Sequence, residues 1–480
     1  MKIKILAIGV LLIMIGSTFM VSANINHNDD LKNAANCSSI DVCSLGVDKK
    51  DTCTVGWELL TEGFGNECNF ATRGIDIYND ELYIGTDNFN QSKKIQFQDV
   101  MEFLRNGLKR RNFEGWEQLR YSLKSDGCEI WKYNDDTQEL HQIVGNLPEA
   151  DIESGFGNPM NSLASFIIEF KGKLYVGTDS NVLVGCDVWR YDGSTWELVV
   201  TGGFGDVCND GAHSAKVYND HLYVGTMNWN KSKTGFCQVW RSFDGENWTK
   251  VVDKGFRDLD TTKRTNNRYA WCMTVFNNEL YVGTYNHPAL LHHKGGQLWK
   301  TDDGVNWSKV ELTGGDGFGE SRNHGIRNME VFENLLFVGV ASMGPNGLEI
   351  WKYNGDIWIP EIGDDVPGVK FKPWHKRNDG FGDRSNDYPY SMTVTSDNKL
   401  WVGTVNAVKG AEIYRYNGLN WDQIVGDDED SEAANGFGVS ANAGVRSIIE
   451  YPIGSGNIFA GTATSFANPS VCQIWMRKGT

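Results

Sequence analysis

From Val55 onward, short apolar runs are broken at regular intervals by turn residues. The phrase L-Y-V-G-T and its variants stands at Leu82–Thr86, Leu174–Thr178, Leu222–Thr226, Leu280–Thr284, Leu336–Val340, Leu400–Thr404 and Ile458–Thr462. Before each copy lies another apolar run, such as Ser214–Tyr218 or Met273–Phe276, often joined to it by Asn-Asp or Asn-Asn. After it comes E-I-W-K-Y, as at Glu129–Tyr133 and Glu349–Tyr353, and then W-x-x-V. Runs this short, rich in β-branched and aromatic residues, read as strands. Asp192-Gly193, Asp244-Gly245, Asp303-Gly304, Asn354-Gly355 and Asn417-Gly418 separate the last two runs. Such pairs adopt positive φ at little cost, as tight hairpins require. Each repeat therefore predicts four antiparallel strands, and a period of roughly 50–60 residues built this way means a propeller or solenoid. Seven copies predict an all-β chain, a seven-bladed β-propeller with four-stranded blades over residues 55–480.

The tryptophans fit this frame. Third strands carry Trp131, Trp189, Trp240, Trp299, Trp351 and Trp475, with Tyr414 in the remaining copy. Fourth strands carry Trp57, Trp196, Trp248, Trp307, Trp358 and Trp421, with Leu140 in the remaining copy. Such rings are expected to pack between blades. The last copy stops after its third strand, Gln473–Met476, while an orphan fourth strand, Trp57–Leu60, precedes the first. Pairing the two would close the ring and remove a free sheet edge.

The ends and one insertion stand apart from the repeats. Lys2 and Lys4, an apolar run Ile5–Ile15 and Val21-Ser22-Ala23 form a signal-peptide pattern over residues 1–23. Residues 24–54 are polar, contain Cys37, Cys43 and Cys53, and read as a lead-in. In the first blade 46 positions separate Gly85 from Trp131, where other blades take 11 to 16. Within residues 88–127, Val100, Leu104 and Leu108 recur at helical spacing, with Arg105, Lys109, Arg110 and Arg111 alongside. This predicts a small helical insertion with a basic face.

Ten cysteines in an exported chain suggest disulfides. Cys68 and Cys208 each precede a loop Asn, and Cys186 and Cys472 open third strands, so Cys186–Cys208 and Cys68–Cys472 are the expected bridges. No C-x-x-C pair supports a zinc site. With 45 Lys+Arg against 62 Asp+Glu the net charge is −17, which opposes nucleic-acid binding. Exported and without a membrane span in its mature form, the chain is expected outside the cell or at its surface.

Candidate chemistry lies at one repeated position. Asn69, Asn161, Asn209, Asn267, Asn323, Asn386 and Asn442 recur in the loop before each first strand, usually after G-F-G. Sevenfold recurrence gives these Asn a backbone role, capping local amides. Four residues later the position varies: Arg73, Ser165, His213, Trp271, Arg327, Tyr390 and Arg446. In a ring these seven crowd the mouth of the central channel. Three arginines there need an anion or nearby carboxylates, and guanidinium forks suit carboxylates and sulfates. The ligand reading is an anionic carbohydrate or an extracellular protein; the structural reading pairs each Arg with Asp or Glu of an adjacent blade. Tyr390 and His213 are the candidates for acid–base catalysis.

Other features carry less. Trp116, Trp229 and Trp374 lie outside the blade pattern, and His287, His292 and His293 share a loop. No cofactor is expected. Calcium would find oxygen ligands in the run Asp427–Asp430 with Ser431 and Glu432, but the glycine placement of an EF-hand is missing.

The turns Ser242-Phe243-Asp244-Gly245-Glu246-Asn247-Trp248 and Thr301–Trp307 resemble the Asp-box, S-x-D-x-G-x-x-W, of the sialidase-like (BNR-type) β-propeller superfamily, with the residue between Asp and Gly missing. The resemblance implies a propeller with a hairpin turn at the box, although sialidases have six blades and the repeats here number seven. It places the box on the face away from the usual ligand site, so it implies no catalysis by the box itself. Sialidases hold a carboxylate with three Arg, and Arg73, Arg327 and Arg446 are similar in type, although the Tyr–Glu nucleophile pair has no counterpart. Some seven-bladed polysaccharide lyases use Tyr or His beside a cation, roles that Tyr390, His213 and Arg327 match. The resulting expectation is a recognition protein, with a lyase or sialidase-like hydrolase, or a structural surface protein, as alternatives.

Overall fold

The computed structural model describes residues 56–89, 125–180, 184–228, 236–259, 266–286, 295–342, 346–363, 379–465 and 470–479. Among them are 28 strands, all in antiparallel pairings, and no α-helix. Asn69–Tyr78 pairs with Glu81–Asn88, that strand with Ile130–Asn134, and that with Glu139–Val144. The same meander recurs along the chain, giving a β-propeller architecture. Trp57–Glu62 pairs with Gln473–Arg477, so the two termini of the repeat region share one sheet. Ala71 also meets Ala463 across the join between first and last repeats.

Neighbouring repeats are stitched through side chains on their first strands. Ser214 Oγ donates to the Ala270 carbonyl at 2.8 Å, Asn328 Nδ2 to Pro389 at 2.8 Å and Ser391 Oγ to Val445 at 2.9 Å. Thr72 and Ser447 share a 3.3 Å hydrogen bond where the ring closes.

The G-F-G segments form left-handed turns. Gly155 and Phe156 have φ of 62° and 58°, and Phe64, Phe204, Phe256, Phe318, Phe381 and Phe437 also have positive φ. A phenylalanine pays for this backbone strain by packing. Phe318 stacks on Trp351 at 4.3 Å and meets the edge of Trp358 at 5.0 Å. Phe156, Phe256 and Phe437 make the same pair of contacts with Trp189 and Trp196, Trp299 and Trp307, and Trp475 and Trp57.

The recurring Asn has a different job from amide capping. Asn69 Nδ2 donates to the Gly63 carbonyl and to Glu129, while its Oδ1 accepts from Thr86 Oγ1. Glu129 in turn accepts from Trp131 Nε1. Asn209, Asn267 and Asn442 repeat the arrangement with Gln238, Gln297 and Gln473. The Thr of L-Y-V-G-T is thus a buried donor as well as a strand residue. Where Val340 replaces it, Asn323 Oδ1 is left buried without a partner.

Two sequence expectations need correction. No disulfide joins Cys186 to Cys208 or Cys68 to Cys472. The strands do come together as expected, with Cys186 N donating to the Asn209 carbonyl and Cys472 N to Asn69. Cys128, Cys186, Cys237 and Cys472, however, occupy the position that Leu348 and Ala411 fill in other repeats. All are fully buried, so this is a core position for a small or apolar side chain. Burial pushes all four thiols up.

The Asp-box-like turns are closed by their own side chains. Asp244 Oδ1 accepts from the amides of Glu246 and Asn247, and Gly245 N donates to Ser242 Oγ. Asp303 and Thr301 repeat this pattern. The leader, the lead-in, nearly all of the helical insertion, Trp116, Trp229, Trp374 and the three loop histidines lie outside the described residues.

Candidate functional site

The seven variable positions are carried by the first strands of the repeats or their immediate bounds, and the structure brings them into one chain of contacts. Arg73 Nη1 donates to Ser165 Oγ at 2.6 Å and to Asp179 Oδ2 at 2.7 Å, and its Nε lies 3.7 Å from Asp87. Asp179 also meets His213 Nδ1 at 3.3 Å. Arg446 Nη1 donates to Asp87 Oδ2 at 2.7 Å. Tyr390 has the guanidinium carbons of Arg446 and Arg327 each 5.0 Å from its ring centre, and Arg327 lies 5.2 Å from the Trp271 ring. Trp271 and His213 both touch Tyr269, at 5.8 and 5.3 Å, completing the circuit.

Backbone economy makes this crowding possible. Two residues after the recurring Asn stand Gly211, Gly325 and Gly444. A Cβ at Gly325 would come within 2.2 Å of the Trp271 ring, and one at Gly444 within 2.6 Å of Tyr390. At Gly211 it would meet the Asp179 carboxylate at 2.3 Å.

Asp87 and Asp179 are functional candidates that the sequence reading missed. Each follows the Thr of a G-T pair, a position that reads Met227, Tyr285, Ala341, Val405 and Ala463 elsewhere. Its variability was the available signal. These two carboxylates meet the structural expectation for Arg73 and Arg446: their charges are neutralised from within the protein. Arg327 is different. It is 8 % exposed and, unlike Arg73 and Arg446, makes no ion pair with a carboxylate among the described residues, while the Nε of all three is buried without a hydrogen-bond partner. The faces of Trp271 and Tyr390 lie against it, and its charge also attracts the Asp87 carboxyl without forming an ion pair.

Electrostatics separate the groups further. Burial acts to raise the Asp179 carboxyl, but Arg73 and His213 outweigh it and hold the group at about 2. Burial pushes Asp87 up to about 7, with Asp179 acting in the same direction, against the pull of Arg73 and Arg327. Burial lowers His213 despite Asp179, so its ring is neutral at neutral pH. Burial pulls Arg327 below its ordinary value, with repulsion from Arg73 in the same direction. Tyr390 is raised by burial despite Arg327 and Arg73, so its hydroxyl stays protonated.

Beside Arg327 lies an aromatic wall. Tyr269 stacks on Tyr285 at 4.6 Å, Trp271 stands edge-on to Tyr285 at 4.9 Å, and His324 lies 5.5 Å from Tyr388. No group of metal-ligating side chains suited to an ion occurs among the described residues, the acidic run at Asp427–Asp430 included. No helix among them is long and apolar enough to cross a membrane.

No protein-family model matches the sequence, and no curated protein matches it. Solved structures are similar at low identity. YCF48 from Cyanidioschyzon merolae is 9 % identical, over 88 % of this chain and 98 % of that one, with a TM-score of 0.46. The α-L-arabinanase of Penicillium chrysogenum is 10 % identical, over 89 % and 98 %, with a TM-score of 0.40. The Trypanosoma rangeli sialidase is 11 % identical, over 65 % and 53 %, with a TM-score of 0.39. The chain spans about half the length of that sialidase and of a similar prolyl endopeptidase, 53 % and 48 %.

Proposed function

We propose that this chain is a seven-bladed propeller of four-stranded blades that recognises an anionic glycan at the mouth formed by Arg73, Ser165, His213, Trp271, Arg327, Tyr390 and Arg446. In this reading residues 1–23 direct export, residues 24–54 lead into the propeller at 55–480, and the protein works outside the cell or at its surface. One observation carries the proposal: Arg327 is a buried guanidinium with aromatic walls and no carboxylate partner among the described residues. A buried charge is ordinarily paired, so its natural complement is an anion supplied by a ligand.

A glycan array tests this. The full chain should bind uronate-containing, sialylated or sulfated glycans over neutral ones, and Arg327→Met should lose about tenfold or more of that binding. Equal binding by the variant, or no preference for acidic glycans, contradicts the reading.

The His213–Asp179 contact favours a second reading, a glycan-active enzyme. With Nδ1 directed at Asp179, a neutral His213 keeps Nε2 as a proton acceptor. Tyr390, held protonated, fits the acid of such a pair rather than the base. Formation of unsaturated or newly reducing ends from uronate polymers, lost in His213→Ala, supports this reading; intact polymers retire it.

A further inference from the structure

Charge accounting at the mouth narrows the ligand. Arg73, Arg327 and Arg446 bring three positive charges, and Asp87 and Asp179 two negative ones. His213 and Tyr390 add none, so above the Asp87 titration the cluster carries one net positive charge. Arg73 and Arg446 already give their forks to carboxylates. Arg327 makes no ion pair among the described residues, although it attracts Asp87, and it lies against two aromatic faces.

We propose that this mouth takes a single, singly charged acid group borne on a sugar ring, a uronate, and excludes dianionic phosphate esters. This rests on the anion-recognition reading above. One carboxylate neutralises the surplus charge, and its planar shape matches one guanidinium fork. A phosphate dianion would leave a net negative charge among buried carboxylates, which the low-dielectric surroundings penalise. The ring that bears the acid group has Trp271 as its stacking surface. Gly325 keeps that indole seated, because any side chain there would collide with it. The neighbouring Tyr285 and Tyr269 meet the indole in edge-on contacts at 4.9 and 5.8 Å.

The test is ligand-induced thermal stabilisation of the full chain at pH 8, using methyl β-glucuronide, methyl β-glucoside, glucose 6-sulfate and glucose 6-phosphate. The glucuronide should raise the melting temperature measurably, the neutral glucoside and the phosphate ester should not, and Arg327→Met should abolish the shift. Glucose 6-phosphate matching or exceeding the glucuronide overturns the single-charge proposal while leaving anion recognition standing. Glucose 6-sulfate alone stabilising the protein overturns the carboxylate assignment in the same way. No response to any of the three anions sinks both this proposal and the reading beneath it. A glucuronide shift that survives in Arg327→Met and Trp271→Ala places the ligand elsewhere and overturns it too.

Discussion

Replacing Phe318 by Ala lowers the unfolding free energy by about 3–5 kcal/mol. The side chain is 1 % exposed and sits between Trp351 and Trp358, stacked on one and edge-on to the other. Truncation leaves a cavity between rings that the surrounding strands hold apart, so little relaxation can offset the lost contacts. The strained backbone remains, because Ala at φ 55° gains nothing over Phe. Chemical denaturation followed by tryptophan fluorescence measures the change. A loss below about 1 kcal/mol would mean that the aromatic sandwich is incidental to the fold.

The second large effect concerns pH. Burial pushes Glu349 from 4.5 up to about 8, despite hydrogen bonds from Asn323 and Trp351, and Asp379 raises it further. A carboxyl raised on folding stabilises fully below its unfolded value, and that contribution fades as pH climbs through the folded value. Wild-type stability should therefore fall between about pH 4.5 and pH 8. Glu349→Gln should flatten that part of the curve and stabilise the protein at pH 8 by on the order of a few kcal/mol. The other repeats supply the model: Gln238, Gln297 and Gln473 accept from Asn and Trp through Oε1. Their Nε2 groups donate to Asp253, Asp316 and Glu62. Parallel stability curves for wild type and variant across this range would refute the assignment.

The repeating frame was legible because it rests on local patterns. Turn pairs, strand periodicity and indole placement recur within each repeat, and the Trp57–Glu62 pairing follows from counting strands. The seven variable positions were legible only as a set. The neutralising partners are separated from their arginines by 106 residues for Arg73–Asp179 and 359 for Arg446–Asp87, and they occur in only two repeats. Only the residues after the G-T or G-V pairs, Asp87 and Asp179 against Ala341 and Val405, distinguish Arg327 from its two paired counterparts. The cysteine reading failed for a related reason. Two similar spacings suggested bridges, but comparison with Leu348 and Ala411 marks the same position as core. The left-handed phenylalanines were hidden because a bulky residue at positive φ runs against backbone preference, and only the finished aromatic packing explains it.

The central claim is that Arg327 is a buried charge kept for a ligand rather than for the fold. Equilibrium unfolding of Arg327→Met without ligand tests it most directly. Met fills much of the same volume and removes a buried charge that has no ion-pair partner among the described residues, so the variant should be as stable as wild type or more stable, by up to about 1–4 kcal/mol. Destabilisation by more than about 2 kcal/mol would show that the guanidinium is a structural member of the ring, and would contradict the account.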